Sequence, residues 1–336
     1  MFINREYSLE YFKSSVFSED FIILTSNVNN DRSQVLIESF PNAKYVDISY
    51  TINKNSDDML SDSFEINTNY KSCLHQKQYT SLYQDLRNFV EQLYSESKSI
   101  IIDISSVHLR FLGALLATMT EWKWSSVICA YTETTAYPRY KEIKPIADES
   151  IYIPVGFDLN SSFWGYNEIP NLKTITNDRE NYVWIVFLGF EGKRSAAVYT
   201  EISDDTNITI PVITMPSVKP GWSNYTFDAN QRLFESANIH SSDFRYTDAL
   251  DPFATYNFLE EIKEEHPTKH LVISPLGTRP VSLGALLYAL NHEESELYFD
   301  TPKESCSKII SSGKIHIYDI LTLISENNAL TEENDG

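Results

Sequence analysis

Two rhythms of apolar and polar positions alternate along the chain. Apolar-rich runs at residues 21–25, 45–50, 99–104 and 127–132 read as strands, and the run 99–104, lacking polar alternation, reads as one buried on both faces. Between them the apolar positions recur every three or four residues, over 31–40, 79–94 and 112–119. In the second of these, Leu82, Leu86, Phe89 and Leu93 form one stripe of an amphipathic helix. The polar stretch 53–71 reads as a loop. An irregular segment, 137–181, carries Pro138, Pro145, Pro154, Gly156, Gly165 and Pro170, and the same order then resumes. Strands are predicted at 183–187, 208–214, 271–274 and 296–299, with helices at 192–202 and 280–290. A further helix opens with Asp251 as N-cap and Pro252 at the first helical position. Alternation of this kind predicts an α/β protein with mostly parallel sheets covered by helices.

The two runs share more than their order. Arg32-Ser33 follows the first strand of one run and Arg194-Ser195 the first strand of the other, 162 residues apart. Leu112-Gly-Ala-Leu-Leu116 is identical to Leu283-Gly-Ala-Leu-Leu287, 171 residues apart, and each block follows a buried strand and a short polar turn. Ordered matches with one modest insertion between them point to duplication. The expected organisation is therefore two tandem Rossmann-like halves related by a pseudo-twofold axis and sharing a cleft. They occupy residues 1–142 and 182–326, with an irregular linker at 143–181 and an acidic tail at 327–336.

Length and composition agree with two folded domains: 336 residues, 42% hydrophobic and 13% aromatic, with ample chain for a core. Charge adds an exclusion. Lys+Arg 27 against Asp+Glu 47 gives −20, a surface that repels a phosphate backbone and disfavours non-specific binding of duplex DNA. Cys73, Cys129 and Cys306 lack CxxC or His-Cys spacing, which fits packing residues in a reducing compartment and no zinc. The N-terminal segment has acids and aromatics where a signal peptide needs an apolar core. The longest apolar stretch, 99–122, is broken by Asp103, His108 and Arg110, short of the ~20 clean residues of a membrane span. A cytoplasmic protein without membrane contact is expected.

In an open α/β sheet, ligands bind beyond the carboxyl ends of the strands, where helix N-termini present backbone N–H groups. Segment 274–280, Ser-Pro-Leu-Gly-Thr-Arg-Pro, has the makings of an anion cradle. Gly277 can take a positive φ, Thr278 can cap the next helix and donate to an oxyanion, Arg279 offers a fork of donors, and Pro280 begins the helix. An ordinary capped strand-to-helix turn is the simpler reading of the same residues. Segment 188–195 is comparable: Gly189 and Gly192 allow a tight turn, and Lys193, Arg194 and Ser195 open a helix whose dipole disfavours cations unless an anion joins them. Glu191 suits an acid, a ribose-hydroxyl acceptor or Arg194's ion-pair partner. In the first half the counterparts are Arg32, Ser106 and His108.

The segment Val272-Ile-Ser-Pro-Leu-Gly-Thr-Arg-Pro-Val-Ser-Leu-Gly-Ala-Leu-Leu287 resembles the nucleotide-binding turn of CARF domains, the Rossmann-like sensors of cyclic oligoadenylates in CRISPR-linked defence. SAVED domains resemble two CARF units fused in one chain. The resemblance covers about sixteen residues and implies ligand-binding roles for Gly277, Thr278, Arg279 and Ser282. It implies a sensor or regulatory subunit for a nucleotide or cyclic oligonucleotide in prokaryotic antiviral defence, with a separate protein as effector and no cofactor. The first half departs from the pattern, carrying Ser105-Ser106-Val107-His108 in place of Gly-Thr-Arg-Pro, so a symmetric ligand would be gripped unevenly.

Enzymatic signatures are weak. G-x-S-x-G, H-E-x-x-H and Walker A patterns are missing, and His266 and His270 are separated by Pro267, which breaks the helix that would align them on a metal. One alternative is a nucleotide hydrolase using Glu191 and Asp103, although a buried Asp103 also suits a structural carboxylate. Another is a scaffold subunit docking through aromatics of segment 157–164, Tyr166, Trp222, Tyr225 and Phe227.

Overall fold

The structure, a computed structural model, describes residues 5–18, 20–54, 60–71, 78–79, 82–134, 136, 163–166, 169, 172, 181–202, 208–298, 300–302 and 312–324. The first half of the chain contributes β1 (Arg5–Tyr7), α1 (Leu9–Ser15), β2 (Ile22–Thr25), α2 (Asp31–Ser39), β3 (Lys44–Lys54), β4 (Leu60–Thr68), β5 (Gln78–Tyr79), α3 (Leu82–Glu96), β6 (Ser99–Asp103), α4 (Leu109–Met119) and β7 (Ser126–Thr134). Then come β8 (Phe163–Tyr166), β9 (Tyr182–Phe187), α5 (Gly192–Ile202), β10 (Ile208–Thr214), α6 (Trp222–Ala229), α7 (Gln231–Ser236) and β11 (Arg245–Thr247). The chain closes with α8 (Pro252–Glu265), β12 (His270–Pro275), α9 (Arg279–Asn291), β13 (Ser295–Leu297), β14 (Asp300–Pro302) and β15 (Ser312–Asp319). The protein is α/β and its strand pairing is mostly parallel. No helix among the described residues is long and apolar enough to cross a membrane.

Two compact units emerge: Met1–Thr135 with Glu168–Leu172 and Ser311–Gly336, and Ala136–Asn167 with Lys173–Ile310. The first holds an eight-stranded mixed sheet in the order β1-β15-β7-β6-β2-β3-β4-β5. Its centre, β7-β6-β2-β3, is parallel, and the strands at both flanks are antiparallel. Ile22, Ile23, Leu24, Ile100, Ile101 and Ile102 are buried, as strands covered on both faces require. α1 closes one side through Phe12, which packs edge-on against Phe21 at 5.8 Å and Phe40 at 6.0 Å. Cys129 is a buried free thiol in β7, its ionisation pushed up by burial, while Cys73 and Cys306 lie outside the described residues.

Two segments differ from the pattern reading. Residues 60–68 form β4 rather than loop, pairing antiparallel with β3 from Lys54↔Leu60 to Val46↔Thr68. Phe64 and Ile66 alternate inward there and are buried, with Asp62 buried on the same face. Asp62 Oδ2 meets Arg110 Nε of α4 at 2.9 Å, so the ion pair replaces the apolar residue that would have marked this strand. Near the C-terminus, β15 pairs antiparallel with β7 and with β1, which places residues 312–319 in the first unit's sheet rather than beside residues 182–298. Ile315 and Ile317 fill core positions and His316 points the other way, between Glu6 and Glu133 at 2.9 and 2.6 Å. The tail expected from residue 327 lies outside the described residues.

The second unit holds an all-parallel five-stranded sheet, β11-β10-β9-β12-β13, and a small antiparallel pair, β14-β8, the latter inside the segment expected to be irregular. β9 is buried along its whole length and Trp184 at its centre donates through Nε1 to Ser274 Oγ at 2.9 Å. α8 starts as predicted, with Asp251 accepting from the amides of Phe253 and Ala254 and Pro252 in the first turn. Helix α9 packs on α8 so closely that a Cβ on Gly284, the glycine of the repeated pentapeptide, would strike the Pro252 carbonyl.

Candidate functional site

In the second unit the strand order reverses at β9: β10 and β11 lie on one side, β12 and β13 on the other. Such a reversal opens a crevice at the carboxyl ends of the two central strands. β9 and β12 run parallel in register as far as Phe187↔Pro275, so the loops that follow them, 188–191 and 276–278, leave the sheet side by side. They pack backbone against backbone. A Cβ on Gly189 would collide with the Leu276 carbonyl, and one on Gly192 with the Ala229 carbonyl. Those two glycines are needed for close approach.

Gly277 is needed for neither reason. Its φ is not in the left-handed region, and an added Cβ would rest 3.5 Å from the Leu188 carbonyl, an ordinary contact. The expectation of a positive φ is thus overturned: the turn closes instead through the Leu276 amide on Ser274 O at 3.0 Å. Thr278 does occupy the N-cap position of α9, with φ −74° and ψ 162°, yet its side chain caps nothing. Its hydroxyl donates to the Ala249 carbonyl at 2.5 Å, tying this loop to the one after β11. Pro280 falls in the first turn, one residue after the helix start, where a missing N–H leaves no bond unmade.

The remaining candidates divide by exposure. Ser282 is buried and donates to Pro275 O and Thr278 O, at 3.2 and 3.1 Å. Ser195 is buried on Gly192 O at 2.9 Å and Asn230 Oδ1 at 2.5 Å. Lys193 is exposed, and Arg194 and Arg279 are half-buried. These three cations sit in the first turns of α5 and α9, where the helix dipoles oppose them. Glu191 is buried, and its Oε2 lies 3.6 Å from Arg194 Nη1, so it serves as the partner of that cation. Asn230, which no local pattern announces, holds the floor: its amide donates to Gly189 O at 2.9 Å and Thr226 O at 2.7 Å while its oxygen takes the Ser195 hydroxyl.

The first unit has its own reversal, at β2, with β3 on one side and β6 and β7 on the other. Asp103 ends β6 fully buried at this point. Its Oδ2 accepts from Thr25 Oγ1 at 3.0 Å, Ser33 Oγ at 2.9 Å and Ser106 Oγ at 2.7 Å, and its Oδ1 from the Ser105 amide at 3.0 Å. A carboxylate holding four donors is a structural hub that fixes two strands, a turn and a helix start. Ser106 also receives the Ser26 amide at 3.0 Å, so its hydroxyl belongs to the same network. His108 caps α4, its Nδ1 accepting from the Arg110 amide at 3.2 Å, and its ring lies 5.1 Å from that of Tyr50. Burial first, and the Asp62 carboxylate second, push the Tyr50 phenol far above its ordinary range. Burial also raises Asp47, against the pull of the Asn27 and Val28 amides that it accepts from. Arg32 is buried, its Nε donating to Thr132 O at 2.6 Å.

The structure therefore gathers Gly189, Gly192, Lys193, Arg194 and Ser195 with Gly277, Thr278, Arg279 and Ser282 at one sheet edge of the second unit. Arg32, Ser106, His108 and Asp103 gather at the corresponding edge of the first. A separate concavity of about 450 Å³ in the second unit is lined by Phe227, Phe234, Phe244, Tyr246 and His240; of the residues singled out in the sequence only Phe227, one of the docking aromatics, lines it, and no candidate ligand-binding residue does. No model of a known protein family matches the chain and no curated protein matches it, so the sheet edges themselves carry the functional reading.

Proposed function

We propose that the protein is a ligand-binding sensor or regulatory subunit for a small phosphate-containing, nucleotide-like ligand, built from two Rossmann-like halves and acting through a separate effector protein. One observation carries this reading. At the reversal in the second unit, two helix N-termini stand on neighbouring strands, and their first turns bear Lys193, Arg194 and Arg279 in a chain of net charge −20. Backbone amides and cations converging on one edge suit an oxyanion. The duplication draws support from topology: the two Leu-Gly-Ala-Leu-Leu blocks lie in α4 and α9, which follow β6 and β12, the strands that lie beside β2 and β9. The resemblance to CARF and SAVED domains narrows the ligand to a nucleotide or cyclic oligonucleotide and the setting to antiviral defence. Glu191 and Asp103, the carboxylates of the hydrolase alternative, are both engaged with protein partners, which favours binding over turnover.

Thermal unfolding with a panel of linear and cyclic nucleotides tests the reading. A ligand at about 100 times its Kd adds about 2.7 kcal/mol, a shift of several degrees. Arg279→Ala is expected to remove that shift while leaving the ligand-free midpoint within about one degree, as for a half-buried cation in a helix first turn. A panel that shifts nothing refutes the reading.

A further inference from the structure

Arg32 is 5% exposed and Thr132 is fully buried. The Arg32 side chain leaves α2 beside β2 and reaches β7, two strands away, so it lies across the carboxyl end of β6. Its Nε is satisfied by Thr132 O at 2.6 Å and its guanidinium stacks 5.0 Å from the Tyr131 ring centroid. Among the described residues its buried Nη2 meets no acceptor, and the buried Oγ1 of Thr132 has no partner. No carboxylate among the described residues pairs with this guanidinium. Two carboxylates nearby in the chain or the sheet are committed elsewhere, Asp103 to its four donors and Glu133 to His316 at 2.6 Å. A buried cation without a counter-ion is costly, and a buried hydroxyl without a partner adds to that cost. Stacking on Tyr131 offsets only part of it.

We infer that the sheet edge formed by β2, β6 and β7 binds a phosphate-type oxyanion, with Arg32 as its cation and Thr132 as its hydroxyl donor. One oxygen of the anion accepts from Arg32 Nη2 and a second from Thr132 Oγ1, satisfying both groups and neutralising the guanidinium. Sulfate shares this tetrahedral geometry, whereas chloride offers no second oxygen to bridge the pair. Both groups are shielded in the ligand-free protein, so the anion enters as the Arg32 side chain lifts from Tyr131. This inference is independent of the second unit's loops.

The test uses inorganic phosphate on the full chain, read as the unfolding midpoint and as ³¹P line broadening, with potassium chloride at matched ionic strength as control. Phosphate is expected to raise the midpoint and broaden its own signal, and chloride to do neither. Arg32→Gln keeps a donor for Thr132 O but removes the charge. It is expected to weaken phosphate binding about tenfold or more, as loss of a charge-assisted fork does, without lowering the ligand-free midpoint. Thr132→Val, of matched volume, is expected to weaken it severalfold. Arg279→Ala is expected to leave the phosphate response intact, which separates this site from the one in the second unit. The inference is overturned if chloride matches phosphate, or if Arg32→Gln and Thr132→Val both keep the wild-type response. It is also overturned if Arg32→Gln destabilises the ligand-free protein while the response to phosphate persists.

Discussion

Asp103→Ala is expected to destabilise the first unit by about 3 kcal/mol or more, among the larger effects of any single substitution in this chain. The carboxylate is fully buried and holds Thr25, Ser33, Ser106 and the Ser105 amide. Its removal strands three hydroxyls and one amide away from water, and each unsatisfied group costs about 1–3 kcal/mol where the cavity admits no water. The loss also propagates, because the network joins the end of β2, the end of β6 and the first turn of α2. Asp103→Asn is expected to fall between the two, since one oxygen remains while the new amide faces hydroxyls that must reorient. Hydrogen exchange read amide by amide checks this and assigns the loss to one unit of the two-unit chain. Protection is expected to fall in β2 and β6 and to persist in β9 and β12. Unchanged protection in β2 and β6 would show that the hub carries no structural load.

The second large effect lies in the other unit and separates two glycines that look alike in sequence. Gly189→Ala is expected to destabilise by about 3 kcal/mol, because the new methyl meets the backbone carbonyl of Leu276 and no rotamer change relieves it. The two loops must part, so the response to nucleotide is expected to disappear as well. Gly277→Ala is expected to be neutral or to stabilise by about 0.5 kcal/mol, since its φ suits any residue and its Cβ has 3.5 Å of room. Urea unfolding followed by circular dichroism gives both values. Equal losses at the two positions would contradict the backbone-to-backbone packing of the loops.

This pair of glycines also marks how far local pattern carries. Sequence reading assigned conformational freedom to Gly277 because it stands in a Gly-Thr-Arg-Pro turn, yet the steric demand falls on Gly189, set by a loop 87 residues further along the chain. Thr278 was likewise expected to cap its own helix, but a carbonyl 29 residues back in the chain, at Ala249, takes its hydroxyl. Asn230 is announced by no local pattern, and Ser105 enters the sequence reading only as part of the 105–108 turn, without a role of its own. Asn230 stands between two short helices, and Ser105, whose hydroxyl accepts the Thr132 amide at 2.7 Å, precedes a helix without capping it. Ser105 acts on Thr132 of the neighbouring strand, and Asn230 on Gly189 and Ser195, 41 and 35 residues back in the chain, so neither position has a signature that local pattern would show.

Strand order shows the same limit. β2, β6, β9, β10 and β12 were legible as apolar runs, since a strand covered on both faces has no room for polar alternation. β4 and β15 were not, because strands outside the parallel centre carry polar residues that pair with the rest of the fold, Asp62 with Arg110 and His316 with Glu6 and Glu133. Local periodicity thus determined that this protein is α/β, that its pairing is mostly parallel, and that loops bearing glycines, hydroxyls and cations follow particular strands. Only the tertiary structure decided which of those loops are neighbours, which hydroxyls are spent on the fold, and that Arg32 is buried without a counter-ion among the described residues. Those outcomes depend on non-local pairing, and the free energy that fixes them comes from contacts between residues tens to about three hundred positions apart.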